Sequence, residues 1–296
     1  MIKLKDIFTV ILLQSIAVCS YAKTILPPSQ DDWVSSKQYV QVNDQVKMAY
    51  VEWGNPDAEP VVLVHGYSDN SRAYSTIAPY LNDKHYFAVD LRGHGNTSAP
   101  TCCYYIGNYA EDVSDFINVM KLKSPALVGH SLGSITAGTL ASIHPKQISK
   151  LVLISSAVKM NPDVSKWLYD TVTTLNYPLD PKGDFIQKEW APNPGDMDEK
   201  MLSKLRQEEA AMPQNAWVGT IKGLEIMDWS LAARHISVPT LIMWGDQDEL
   251  MQEKQNNDLQ KAIPDAKMIV YKGLGHSMYW QQPERCAKDL MSFING

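Results

Sequence analysis

Gly129-His130-Ser131-Leu132-Gly133 forms a G-x-S-x-G pattern. It follows the apolar run Ala126-Leu127-Val128 directly and opens a helical stretch from Leu132 to Ile143. A serine on so sharp a strand-to-helix turn takes strained backbone angles, and flanking glycines prevent clashes. Its hydroxyl then projects at the carboxyl end of the sheet, where the helix N-terminus supplies donors and positive potential. That is the setting of a nucleophile. A helix-capping serine is the plainer use of this residue type, but the strand–turn–helix context favours the nucleophile.

A serine nucleophile needs a base, and the base needs an orienting acid. His276 stands in Gly273-Leu274-Gly275-His276, just after the apolar run Met268-Ile269-Val270. Asp246 and Asp248 stand in Trp244-Gly245-Asp246-Gln247-Asp248, just after Thr240-Leu241-Ile242-Met243. The chain order is serine, aspartate, histidine, with either carboxylate open as the acid. One oxyanion donor is expected from the N–H of Leu132, the residue after the nucleophile. The other is expected from the loop after Val61-Val62-Leu63-Val64. His130 is structural or pocket-lining, while His85, His144 and His235 read as surface or loop residues.

These residues must be held by a scaffold, and the rest of the chain supplies one. Tyr39–Val42 and Val46–Trp53 alternate around Asn43-Asp44 as a hairpin. Six runs then read as strands buried on both faces: Val61–Val64, Tyr86–Val89, Ala126–Val128, Leu151–Ile154, Thr240–Met243 and Met268–Val270. Helical patterns at Tyr109–Met120, Leu132–Ile143, Met251–Ile263 and Glu284–Ile294 separate them. Alternating strands and helices imply a mostly parallel sheet with helices on both faces. The interval 158–236 breaks the alternation with helical patterns, prolines and no convincing strand. Trp167, Trp190, Trp217 and Trp229 fall inside it and would fill its own core or line a substrate pocket.

Taken together, these motifs resemble the α/β-hydrolase superfamily, in the branch with a helical cap inserted after the sixth strand. The resemblance rests on His65-Gly66 after a strand, Asp90-Leu91-Arg92-Gly93-His94-Gly95, Gly129 to Gly133, Gly245 to Asp248, and Gly275-His276 followed by Gln282-Pro283-Glu284. It covers nearly all of residues 37–296. It implies a core of residues 23–157 and 237–296, with a cap of residues 158–236. It points to Asp248 as the acid, three residues after the glycine ending its strand, and leaves Asp246 to cap a loop. It makes Asp90 part of a structural turn, and gives His65 and His94 backbone hydrogen bonds near the site. It places the second oxyanion donor at the N–H of Tyr67. His65, His130, Trp167 and Trp217 are the candidate pocket residues. The implied activity is hydrolysis of a small carboxylic ester or lactone through an acyl-serine, needing no cofactor and no metal. Similar enzymes also act as thioesterases, carbon–carbon bond hydrolases and perhydrolases, and some proteins of this fold only bind ligands. Epoxide hydrolases and haloalkane dehalogenases normally carry aspartate where this chain has Ser131.

Composition narrows the partners. The chain has 296 residues, 45% apolar and 20% charged, with a net charge of -6, as in a globular protein without the basic footprint that nucleic acid requires. Lys3 and Lys5, the apolar run Ile7 to Val18 and the small residues of Ser20-Tyr21-Ala22 form a secretory leader pattern, expected to be cleaved after Ala22. An uncleaved anchor is the rival reading, although the run is short for a membrane span. Cleavage would leave a secreted or periplasmic protein with no stable membrane partner. Cys102, Cys103 and Cys286 are too few for a disulfide scaffold, and the pairing of Cys102 with Cys103 stays open.

Overall fold

The computed structural model describes residues 23–193 and 197–296, so the leader, residues 1–22, lies outside them. The first strands, β1 (Gln38–Gln41) and β2 (Lys47–Gly54), form the expected antiparallel hairpin. They are followed by β3 (Pro60–Val64), β4 (His85–Val89), α1 (Ile106–Val119), β5 (Ala126–His130), α2 (Leu132–Ile143) and β6 (Lys150–Ile154). Then come α3 (Pro162–Thr174), a π-helical turn at Phe185–Trp190, α4 (Glu199–Ala210), α5 (Gln214–Glu225) and α6 (Ser230–Ala233). The chain ends with β7 (Thr240–Gly245), α7 (Glu253–Ala262), β8 (Lys267–Tyr271), α8 (Met278–Gln281) and α9 (Pro283–Asn295). Among the described residues between β6 and β7 there is no strand, only an isolated bridge between Lys159 and Asp228.

The strands form one eight-stranded sheet in the order β1-β2-β4-β3-β5-β6-β7-β8. β2 runs antiparallel to β1 and β4, and the remaining pairs are parallel. Each central strand is apolar on both sides because each side meets a different core. Val62, Val64, Leu127, Leu151 and Leu153 pack on one face with α1 and α2. Val61, Leu63, Val128, Val152 and Ile154 pack on the other with Tyr279, Leu290 and Ile294. Burial of each such side chain stabilises the fold by roughly 1.5–3 kcal/mol, so polar residues are excluded from both registers.

The chain leaves β3 toward β4 on one side and later adds β5 on the other. In an open sheet this reversal leaves a crevice at the carboxyl ends of the strands. Both the loop after β3 and Ser131 after β5 open into that position.

Candidate active site

Ser131 links β5 to α2 with φ 52° and ψ -120°, a conformation unfavourable for a residue with a Cβ. Three contacts hold it there. Its N–H donates to Ile154 O at 3.0 Å, and its carbonyl accepts from Ser134 and Ile135 N–H. Gly133 explains the tight turn: a Cβ there would lie 2.1 Å from Val64 O. The N–H of Leu132, at the first position of α2, has no acceptor within the helix.

His276 follows β8 and Asp248 follows β7. His276 Nδ1 lies 2.9 Å from both Asp248 oxygens. Asp248 also accepts from Leu250 and Met251 N–H, each at 2.9 Å, and its side chain is fully buried. Burial alone would raise the Asp248 carboxyl, but His276 and these two N–H groups hold it below the usual carboxylate range. Burial alone would lower His276, yet Asp248 and, more weakly, Asp69 raise it above 6.5. With Nδ1 donating to Asp248, neutral His276 keeps Nε2 as its free acceptor.

Asp246 does something different. Its Oδ1 accepts from Gly273 N–H at 2.7 Å and its carboxylate pairs with Lys272. It ties the loop after β7 to the loop after β8 and does not bond to His276.

The backbone of His276 is anchored as well. Its carbonyl accepts from Ser155 Oγ at 2.7 Å and from His130 Nε2 at 3.1 Å. His130 is therefore the Nε2–H tautomer, and burial first, then nearby His276, lowers its pKa to about 3. Ser131 and His276 thus meet through His130, the residue preceding the serine.

His65 and His94 take the backbone roles expected of them. His65 Nδ1 bonds to Gly66 O at 2.7 Å, while its Nε2 accepts from Leu91 N–H at 2.9 Å. His94 Nδ1 bonds to Arg92 O at 2.8 Å. His65 is completely buried, so it supports the β3 loop from behind. Asp90 binds Lys37, Ser71 N–H and Asn96 N–H inside the turn that follows β4.

The loop after β3 is fastened to the helical insertion. Tyr67 Oη donates to Trp217 O at 2.7 Å, and Trp190 Nε1 donates to Ser68 Oγ at 2.7 Å. Asn70 Nδ2 donates to Glu208 at 2.8 Å, and Arg72 binds Glu208 through Nε and Nη2. The rings of Tyr67, Trp190 and Trp217 are mutually in contact, with centroids 5.0–5.4 Å apart. Phe185 joins them against Trp190 and Trp217.

Trp217 therefore packs beside Tyr67, whereas Trp167 does not join this cluster. Trp167 is 48% exposed on α3, whose buried positions are Ser165, Leu168 and Val172. The helical period turns residue 167 away from that stripe, and Trp190 takes the position beside Tyr67. Trp229 is a core residue, with Nε1 bonded to Ala157 O and its ring against Gly138. His85 also departs from the sequence reading. It lies in β4 and bonds Glu52 at 2.7 Å, because it sits opposite the hairpin strand β2.

Asp69, Ser155 and Glu209 were not singled out by sequence, and Trp190 only as one of the four tryptophans of the insertion. None sits in a motif, and each reaches the site only through tertiary packing. Cys102 and Cys103 are bonded to each other, while Cys286 is free and buried. Two surface clefts, of 510 and 610 Å³, are lined by none of Ser131, Asp248, His276, Tyr67, Trp190 or Trp217.

The sheet order, the strained serine turn and the inserted helices define an α/β hydrolase. The chain belongs to the alpha/beta hydrolase fold family, whose model matches residues 59–283. It is 28% identical over 261 residues to Lipase 3 of Moraxella sp. (strain TA144), covering 84% of this chain and 82% of that protein. It is also 28% identical over 274 residues to Monoacylglycerol lipase abhd6-B of Xenopus laevis, covering 84% and 79%. Among solved structures it superposes on E-2-(Acetamidomethylene)succinate hydrolase with a TM-score of 0.77 at 22% identity, covering 88% of this chain and 99% of that one. The enol-lactonase from Burkholderia xenovorans LB400 gives a TM-score of 0.76 at 19% identity, covering 88% and 100%.

Proposed function

We propose that the protein is an exported serine hydrolase that cleaves a small carboxylic ester or lactone through an acyl-serine intermediate. The observation that carries this reading is the His276 Nδ1–H donating to the oxygens of buried Asp248, with strained Ser131 at the same end of the sheet. His276 Nε2 takes the Ser131 proton as the hydroxyl oxygen attacks the carbonyl carbon. Asp248 holds the imidazole and stabilises its charged form. The N–H groups of Leu132 and Tyr67 hold the oxyanion. Collapse of the tetrahedral adduct expels the alcohol with the proton from His276. Water, deprotonated by His276, then releases the acid.

In this reading residues 158–236 act as a cap that selects the substrate, and the Tyr67, Trp190, Trp217 and Phe185 rings favour an apolar group beside the scissile bond. Lipase relatives support ester chemistry. Export follows from the leader pattern, and an intact mass beginning at Lys23 would support it.

The test uses p-nitrophenyl esters of increasing chain length, lactones and a fluorophosphonate probe. Turnover and labelling are expected for the wild type and neither for Ser131→Ala. Absence of both in the folded wild type would make the chain a ligand-binding member of the family. Sustained turnover of epoxides or haloalkanes would also refute the mechanism, because serine attack there gives an ether that water cannot readily cleave.

A further inference from the structure

Beside the nucleophile lie two buried carboxyl groups that the mechanism above does not use. Asp69, on the loop after β3, is 5% exposed, and Glu209, on α4 of the insertion, is 3% exposed. A Cβ placed on Gly66 would lie 3.1 Å from Asp69 Oδ2, 3.3 Å from Ser131 Cβ and 3.0 Å from His130 Nδ1, so all four groups are packed together. Asp69 and Glu209 face each other across the junction between the β3 loop and α4, where the adjacent residues Asn70 and Glu208 are hydrogen-bonded at 2.8 Å. Glu209 Oε2 is buried without a hydrogen-bond partner.

Among the described residues no cation bonds to this pair: His276 and Arg206 favour the ionised forms of Asp69 and Glu209 from a distance, but burial outweighs both. Arg72 is committed to Glu208 and to Gln30. Arg206 donates to Ala191 O and reaches Glu199. His130 Nδ1 lies 4.0 Å from Asp69 Oδ2, but this ring is neutral and its proton is on Nε2. His276 is engaged with Asp248. Tyr74 and Tyr279 also face Asp69, and Glu208 adds a further negative charge. Two carboxylates cannot both be ionised in such a place, and a bond between them needs an O–H to donate.

We propose that Asp69 and Glu209 share a proton and act as a positioning pair, which fastens the loop carrying the Tyr67 N–H to helix α4. This role rests on the oxyanion assignment made above. While the proton is present, the O–H···O bond joins the loop to the insertion. When it leaves for solvent, two adjacent carboxylates repel, and the loop and α4 separate. Burial, the largest effect on each group, pushes Asp69 up to about 7 and Glu209 well above its ordinary value. Activity therefore has an alkaline limb set by the pair, opposite in sense to the limb set by His276.

The sign for stability is fixed by the same shifts. Carboxyls whose folded pKa is raised bind more protons folded than unfolded, so stability falls as pH rises from the unfolded value near 4 through the folded one.

The experiment measures kcat/KM for a p-nitrophenyl ester, and the unfolding temperature, from pH 4 to 10, using the full chain. The wild type should lose about tenfold in kcat/KM per pH unit on the alkaline side. In Glu209→Gln and Asp69→Asn, where an amide N–H replaces the shared proton, that limb should vanish and the fall of unfolding temperature with pH should flatten. Glu208→Gln, which weakens the same junction and removes one negative charge beside the pair, should keep the alkaline limb and move its midpoint down. An alkaline limb unmoved in both Glu209→Gln and Asp69→Asn, or an unchanged pH dependence of unfolding, would overturn the proposal. If no ester is turned over, the hydrolase reading fails, while the unfolding profiles still decide whether the pair holds its proton.

Discussion

The two sides of the site are built differently. On one side, Ser131, Asp248 and His276 follow β5, β7 and β8, with Ser131 N–H bonded to Ile154 O and the His276 carbonyl held by Ser155 and His130. On the other side, the loop after β3 is held by the insertion, through Trp217, Trp190, Glu208 and Glu209. The first side inherits its precision from the sheet, whose hydrogen bonds are fixed by register. The second depends on packing between segments more than a hundred residues apart, as in the bond from Tyr67 to Trp217. Under the proposed mechanism, reactivity is anchored in the sheet, while substrate choice and oxyanion support are coupled to a separate layer of helices.

The largest effect that tests this division is expected at Ser131. Ser131→Ala should lower kcat by on the order of 10⁶-fold while circular dichroism and unfolding temperature stay close to wild type, since one oxygen is removed. A loss of only a few-fold would remove the sheet side from the chemistry.

Next is the acid. Asp248→Asn should lower kcat by about 10⁴-fold, because the amide cannot hold the same His276 tautomer. Asp246→Asn should cost far less, since Asp246 only ties two loops together. The reverse order of damage, with both variants folded, would move the acid to Asp246.

The pH dependence of kcat/KM sharpens the same side. His276 must be neutral to act, and Asp248 holds it protonated above its ordinary 6.5. Activity should thus rise with pH through a midpoint above 6.5, and Asp248→Asn should shift that midpoint down. The ion pair itself stabilises the fold fully only between the ordinary Asp and His values. Its contribution fades as pH rises through the raised His276 value, and as pH falls through the lowered Asp248 value.

The smallest effects separate two tryptophans of the insertion. Trp217→Ala removes a fully buried ring and should cost about 3–5 kcal/mol in denaturant unfolding, with a changed ranking of ester chain lengths. Trp167→Ala, at a half-exposed position, should stay within about 0.5 kcal/mol and leave the ranking alone. Equal effects would erase the distinction between the ring that backs Tyr67 and the ring that faces solvent.

What the sequence determined by itself is the part with short-range causes. Strands buried on both faces are continuous apolar runs, and the turn at Ser131 needs Gly129 and Gly133 beside it, so both were legible. Asp248 was legible only with the resemblance, because Asp246 and Asp248 are the same residue type two positions apart. Only the tertiary structure separated them, through the loop that sends one to His276 and the other to Gly273. It also turned Trp167 toward solvent and set Trp190 beside Tyr67, since a helix's buried stripe depends on what it packs against. Asp69 and Glu209 left no local trace: 140 positions apart, each reads as an ordinary surface carboxylate. Their proximity, and the proton it demands, arise only when α4 closes over the loop after β3 and removes the water that would have kept them apart.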